Sequence, residues 1–211
     1  MKALLYKQMK LCAHPMTFIF ALFGCMLIIP NYPYTVAFFY VTLGIFFMYV
    51  NMREQRDSFF SALLPVKKSD TVKSGILFSS IIEIISIVLS VPFMFISQKI
   101  NPKGGNLAGI DANFALIGMG FICFALFNVV FFPSFYKTGY KAGVAFIKSS
   151  AVMLFAVIFD IIAPHIPLLS FIDGKFDVRH IWILLIGIAV YIIFSVIAIK
   201  KSIILYNNVD L

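Results

Sequence analysis

Nucleophilic or metal chemistry in this chain would have to start from its cysteines and histidines, and their spacing assembles neither. Cys12, Cys25 and Cys123 are odd in number and lack a C-x-x-C pair. His14, His165 and His180 form no H-E-x-x-H run and no ligand-spaced set, so no metal site and no disulfide framework is indicated. A phosphate-cradling G-x-x-x-x-G-K-[ST] loop is missing as well, since Gly104-Gly105 lacks the spacing. What stands out instead is polar chemistry in oily surroundings. Glu83, Asn128 and Asp160 each interrupt an apolar run, and a densely charged stretch runs from Arg53 to Lys73.

The elements that must carry these residues follow from composition. Of 211 residues, 62% are apolar and 12% charged, against roughly 45–50% and about 25% in soluble domains. A polar coat cannot be built from that, and lipid must be the solvent for most of the surface. The apolar runs cover 16–30, 33–50, 75–97, 114–133, 146–163 and 181–199, and all but the first approach the roughly 20 residues that cross a bilayer. The expected fold is an all-α polytopic membrane protein, one transmembrane domain of six helices over residues 1–211. Pro30 and Pro33 bracket Asn31-Tyr32, so the first two runs read as a tight hairpin, with a re-entrant hairpin as the competing form. A lipobox-like Leu22-Phe23-Gly24-Cys25 lies inside the first run, but the bulky Phe23 is atypical for cleavage and a retained span is expected.

Basic residues near span ends stay on the cytoplasmic side. Alternate segments carry 13 of the 17 Lys and Arg: the N-terminus, the loop between spans two and three, the loop after span four, and the tail after span six. The opposite set holds only Lys99, Lys103, Lys175 and Arg179. Both termini are therefore expected in the cytoplasm, in a plasma membrane. The +8 net charge is a topology signal and gives no reason to expect nucleic acid as a partner.

Residues 1–13 differ from the spans. Met1, Leu4, Leu5, Leu11 and Cys12 share one helical face, with Lys2, Lys7 and Lys10 on the other. Such a helix lies in the interface with its lysines among lipid head groups, and Pro15 allows the turn into the first span. Simple extension of the first span is the alternative. Residues 98–113 contain the turn signal Asn101-Pro102-Lys103-Gly104-Gly105. Residues 164–180 are stopped by Pro164 and Pro167 yet contain Leu168, Leu169, Phe171 and Ile172, an apolar segment dipping into the outer leaflet.

Glu83 lies about eight residues into the third run, roughly 12 Å along it. An ionised carboxylate at that depth must be paired, protonated or facing water. It is read either as a substrate or gating contact or as a hydrogen-bonded packing residue. Asp160, one turn before Pro164, is expected to cap a helix or meet water, and Asn128 to donate between helices. Pro92 removes one backbone hydrogen bond in the third span, either as a hinge or as static packing.

The loop over 52–74 is the most informative stretch. A charged lead-in of Arg53, Glu54, Arg56 and Asp57 runs into the apolar turn Phe59, Phe60, Leu63 and Leu64, then Pro65, Lys67, Lys68 and Asp70, the last a candidate N-cap for the third span. Leu64-Pro65-Val66-Lys67-Lys68-Ser69-Asp70, placed between spans two and three, resembles the permease subunits of type-2 ATP-binding-cassette exporters. The basic N-terminal helix, the six spans and the apolar segment before the last span add to the resemblance. Its charged lead-in is shorter than that family's pattern.

The resemblance implies that this loop is a coupling helix docking on a separate ATPase subunit, and that residues 1–13 are the interfacial elbow. It also implies a second permease copy or a related permease, and a bacterial setting. ATP and Mg would be held by the partner, with no cofactor on this chain. An apolar cluster rimmed by charge is what a partner groove buries, whereas a solvated connector is the plain alternative. The 25 Phe residues either line a path for amphipathic or hydrophobic cargo, peptides among it, or face lipid. An intramembrane enzyme such as a protease would need a catalytic pair that is not visible. A non-transporting adaptor or immunity protein is not separable by sequence.

Overall fold

The computed structural model describes residues 1–100, 105–139, 141–167, 169–174 and 176–209. The turn residues Asn101 to Gly104, with Lys103, and also Leu168 and Lys175, lie outside the described residues. Every regular element among the described residues is helical. α1 (Lys2–Lys7) continues into a π-turn over Gln8–Cys12, and α2 (Pro15–Ala21) continues as a 3-10 helix over Leu22–Ile28. Then come α3 (Thr35–Glu54), α4 (Asp57–Ala62), α5 (Lys68–Ile100), α6 (Phe114–Tyr136), α7 (Ala142–Ile162) and α8 (Val178–Asn207).

Local chemistry explains the boundaries. Pro15 takes the first position of α2, where its missing N–H costs nothing, and the His14 ring accepts from the Met16 amide. Asn113 caps α6 by accepting from Leu116 N, and Asp177 and His180 form a reciprocal capping box for α8. α5 begins at Lys68, as soon as Pro65 allows. Asp70 therefore sits in the first helical turn, 3.9 Å from Lys73, rather than at the N-cap. α5 runs as one helix through Pro92.

Among the described residues five helices are long and apolar enough to cross a membrane, and the bent pair Lys2–Cys12 and Pro15–Ile28, meeting at 99°, supplies a sixth candidate. The first run, short by count, gains length because seven of its residues are 3-10, rising about 2 Å each rather than 1.5 Å. Its 14 residues thus reach about 25 Å. Hydrogen bonds place its two ends apart: Asn51, at the end of α3, donates to Cys12 O, while Asn31 accepts from Leu107 N in the loop before α6. The segment therefore traverses the bundle. Loops 55–67 and 137–139 share one end, the basic end, with residues 1–13, and loops 105–113 and 169–174 share the other.

Packing depends on close approach at small residues. A Cβ on Gly187 would meet Gly118 O at 2.3 Å, and one on Gly118 would meet Ile183 O at 2.7 Å, so α6 and α8 cross backbone to backbone. Thr17 donates to Gly44 O at 2.8 Å, fastening α2 to α3. The core is aromatic: Phe124, Phe127, Phe131, Phe132 and Phe135 on α6 are buried, with Tyr49 edge-on to Phe131 at 5.2 Å. Those Phe residues are therefore packing within the protomer, while Phe155 on α7 and Trp182 on α8 are among the outward-facing residues.

Candidate functional site

The basic end carries a surface built around α4. Between α3 and α4 the chain turns at Arg56, whose φ of 51° is left-handed, and Pro65 follows the far side. The amphipathic split of the six-residue helix is clear. Phe59 (56% exposed), Phe60, Leu63 (71% exposed) and Leu64 face outward. Arg53, Glu54, Arg56, Pro65 and Lys67 are exposed around them, with Arg53 and Glu54 3.5 Å apart in solvent. Asp57 and Ser61, one turn apart, face inward and are buried.

Two of the charges expected to face a partner are instead used inside the chain. Asp57 pairs with Lys7 of the elbow at 2.7 Å. Lys68 donates to Val209 O at 2.7 Å and stands 6.0 Å from the Tyr206 ring, tying the start of α5 to the end of α8. The elbow also departs from its sequence-derived face. Lys7 and Gln8 are turned inward with Leu5 and Cys12, while Tyr6 and Met9 are exposed beside Lys2 and Lys10. The π-turn over Gln8–Cys12 shifts the angular register, which a 3.6-residue period cannot anticipate. Between elbow and loop lies an open groove of about 570 Å³ lined by Leu4, Lys7, Phe60, Leu64, Lys67 and Asp70.

Mid-bundle, Glu83 is the sixteenth of the 33 residues of α5 and has no exposed surface. Its Oε2 accepts from Asn128 Nδ2 on α6 at 3.0 Å and from Tyr191 OH on α8 at 2.7 Å. Sequence reasoning named Glu83 and Asn128 separately. Tyr191 was missed because a tyrosine in a long apolar run carries no periodic signal. The three join α5, α6 and α8 at one point, and the site is closed within the protomer.

At the opposite end Asp160 is fully buried and does not meet Glu83 or Asn128. It caps, but another helix than its own: Oδ2 accepts from Thr35 N at the start of α3 at 3.4 Å, and Oδ1 from Ile110 N at 3.2 Å. Asn113 donates to Ile172 O and Gly174 O, and Asp173 accepts from Asp111 N. The apolar segment before α8 is thus hydrogen-bonded to the loop before α6, with two 3-10 turns at Ala163–His165 and Ser170–Ile172.

Among the described residues no three His, Cys, Asp or Glu side chains gather in a way that could hold a metal ion. The arrangement consists of apolar crossing helices, a buried polar tie and an exposed amphipathic turn at the basic end. It defines a polytopic helical membrane protein. A model of the ABC-2 family transporter proteins matches residues 3–207, nearly the whole chain. The chain belongs to that family, the membrane permeases of ATP-binding-cassette transporters. No curated protein and no solved structure matches it.

Proposed function

We propose that this chain is the permease half of an exporter, with α4 as the coupling helix that docks on a separate ATP-binding-cassette ATPase subunit. The observation that carries the reading is the outward apolar cluster Phe59, Phe60, Leu63 and Leu64, rimmed by Arg53, Arg56 and Lys67 at the end of the bundle richest in Lys and Arg. Four large apolar side chains left in water are costly, at roughly 25 cal/mol per Å², and a partner groove removes that cost. ATP and Mg belong to the partner, and two permease copies, or this one and a relative, share the pathway. The basic end faces the cytoplasm of a bacterial plasma membrane, following the charge bias.

The cargo class in this reading is amphipathic or hydrophobic, peptides included, in keeping with a chain that is 62% apolar. Glu83, Asn128 and Asp160 act in this reading on helix arrangement, since each is closed off in the present conformation. The test is reconstitution in liposomes with the ATPase subunit and an amphipathic peptide or lipid-like probe. ATP-dependent movement that falls in a Leu63→Asp variant supports the reading. ATP-independent behaviour together with ATPase activity indifferent to the permease contradicts it and favours an adaptor role.

A further inference from the structure

The elbow and α4 are distant in sequence and meet through buried charge. Lys7 Nζ lies 2.7 Å from Asp57 Oδ1 and donates at 2.7 Å to Ser61 Oγ, 54 residues away in the chain. The two charged side chains keep only 10% and 3% exposure. An exposed pair would constrain little. A buried pair constrains strongly, because removing either partner leaves an uncompensated charge where water is scarce.

α4 needs such a constraint. Six residues are far too few to hold a helix by their own hydrogen bonds. The left-handed Arg56 before it and Pro65 after it interrupt the neighbouring helices, so neither α3 nor α5 dictates its rotation. Its contact to the α6–α7 loop, Ser58 Oγ to Gly139 O, is long at 3.5 Å. Asp57 and Ser61 lie one turn apart on the inward face, so holding both sets the rotation of the helix about its axis. That rotation decides whether Phe59, Phe60 and Leu63 point outward. Beside the pair, burial pushes the Cys12 thiol up, and the charge of Asp57 and a hydrogen bond to it add to this, so Cys12 stays neutral and brings no second charge to the Lys7–Asp57 pair.

We propose that Lys7 is a positioning residue of the docking surface: gripping Asp57 and Ser61 from the elbow, it fixes the face that α4 presents and makes elbow and α4 one body. The functional half of this rests on the reading of α4 as the ATPase contact, whereas the geometric half does not.

The experiment measures both halves on the full chain in lipid nanodiscs. Amide hydrogen exchange of Asp57–Ala62 is followed in the permease alone, and the affinity of the ATPase subunit for the same nanodiscs is measured in parallel. Lys7→Met is expected to speed exchange of that segment at least tenfold while α6 and α8 exchange as in the wild type, and to weaken ATPase binding at least tenfold. Lys7→Arg restores both, and Ser61→Ala, which removes one hydrogen bond and no charge, gives a smaller change in the same direction. Exchange in Asp57–Ala62 within twofold of wild type for both Lys7→Met and Ser61→Ala overturns the proposal. Faster exchange with unchanged ATPase affinity overturns its functional half. Wild-type nanodiscs that bind no ATPase would refute the docking reading, while the exchange data still decide whether Lys7 holds α4.

Discussion

Replacing Glu83 separates a packing tie from an essential charge. In Glu83→Leu, Asn128 Nδ2 and Tyr191 OH lose their shared acceptor in a fully buried place. Interhelical hydrogen bonds in membrane proteins average about 0.6 kcal/mol and reach about 1.7 kcal/mol, and a stranded buried donor costs about 1–3 kcal/mol. Two interhelical bonds at about 0.6–1.7 kcal/mol each put the loss at about 1–3 kcal/mol. For a chain of this length that lowers the melting temperature by about 5 °C. Glu83→Gln keeps an oxygen for both donors, and its new amide N–H can turn to the buried, unpartnered Oδ1 of Asn128. Its stability should stay within about 0.5 kcal/mol of wild type. The assay is thermal unfolding in nanodiscs, with Tyr191→Phe combined with Glu83→Leu to close a double-mutant cycle showing coupling of about 0.5 kcal/mol or more. A Gln variant as damaged as Leu would refute the packing account and make a charge at this position essential. A harmless Leu variant would show that the tie contributes nothing.

Three other outcomes follow from the same geometry. Gly187→Val must push its side chain into Gly118 O, which a Cβ alone would meet at 2.3 Å; backbone cannot yield as a side chain can, so α6 and α8 should separate at a cost of about 3 kcal/mol or more, read as loss of the folded peak in size-exclusion chromatography. Asp160→Ala strips the amides of Thr35 and Ile110 of their acceptor, and limited proteolysis between residues 105 and 113 should accelerate about tenfold, for a cost near 1.4 kcal/mol. Hydrogen bonds from Arg179 hold the Asp177 carboxyl at about 2, below its ordinary value. Its contribution to the start of α8 is therefore complete above about pH 4 and lost as pH falls through about 2, seen as faster exchange of the Arg179 and His180 amides, absent in Asp177→Asn.

Much of the scaffold was legible because lipid demands long apolar runs and strands no polar backbone. The helices Thr35–Glu54, Phe114–Tyr136 and Ala142–Ile162 coincide closely with the runs read from sequence. The charged loop was legible as a place but not as a set of orientations. Nothing local distinguishes Lys67, which is exposed, from Lys68, whose partner Val209 is 141 residues away. Lys7 was misplaced for a related reason: three lysines in ten residues suggest a wet face, yet a distant Asp57 holds one of them inward. The cap that Asp160 gives to α3 is equally non-local, since its nearest helix end is its own.

The central claim is that the exposed face of α4 meets an ATP-binding-cassette ATPase. A photo-crosslinking residue at Leu63, which is 71% exposed at the basic end, and another at Leu107, 75% exposed at the opposite end, test it in intact cell membranes. An adduct with an ATP-binding-cassette ATPase subunit is expected at position 63, and none at 107. Absence of such an adduct at positions 59, 60, 63 and 64 alike, with the same ATPase captured at 107, would contradict it.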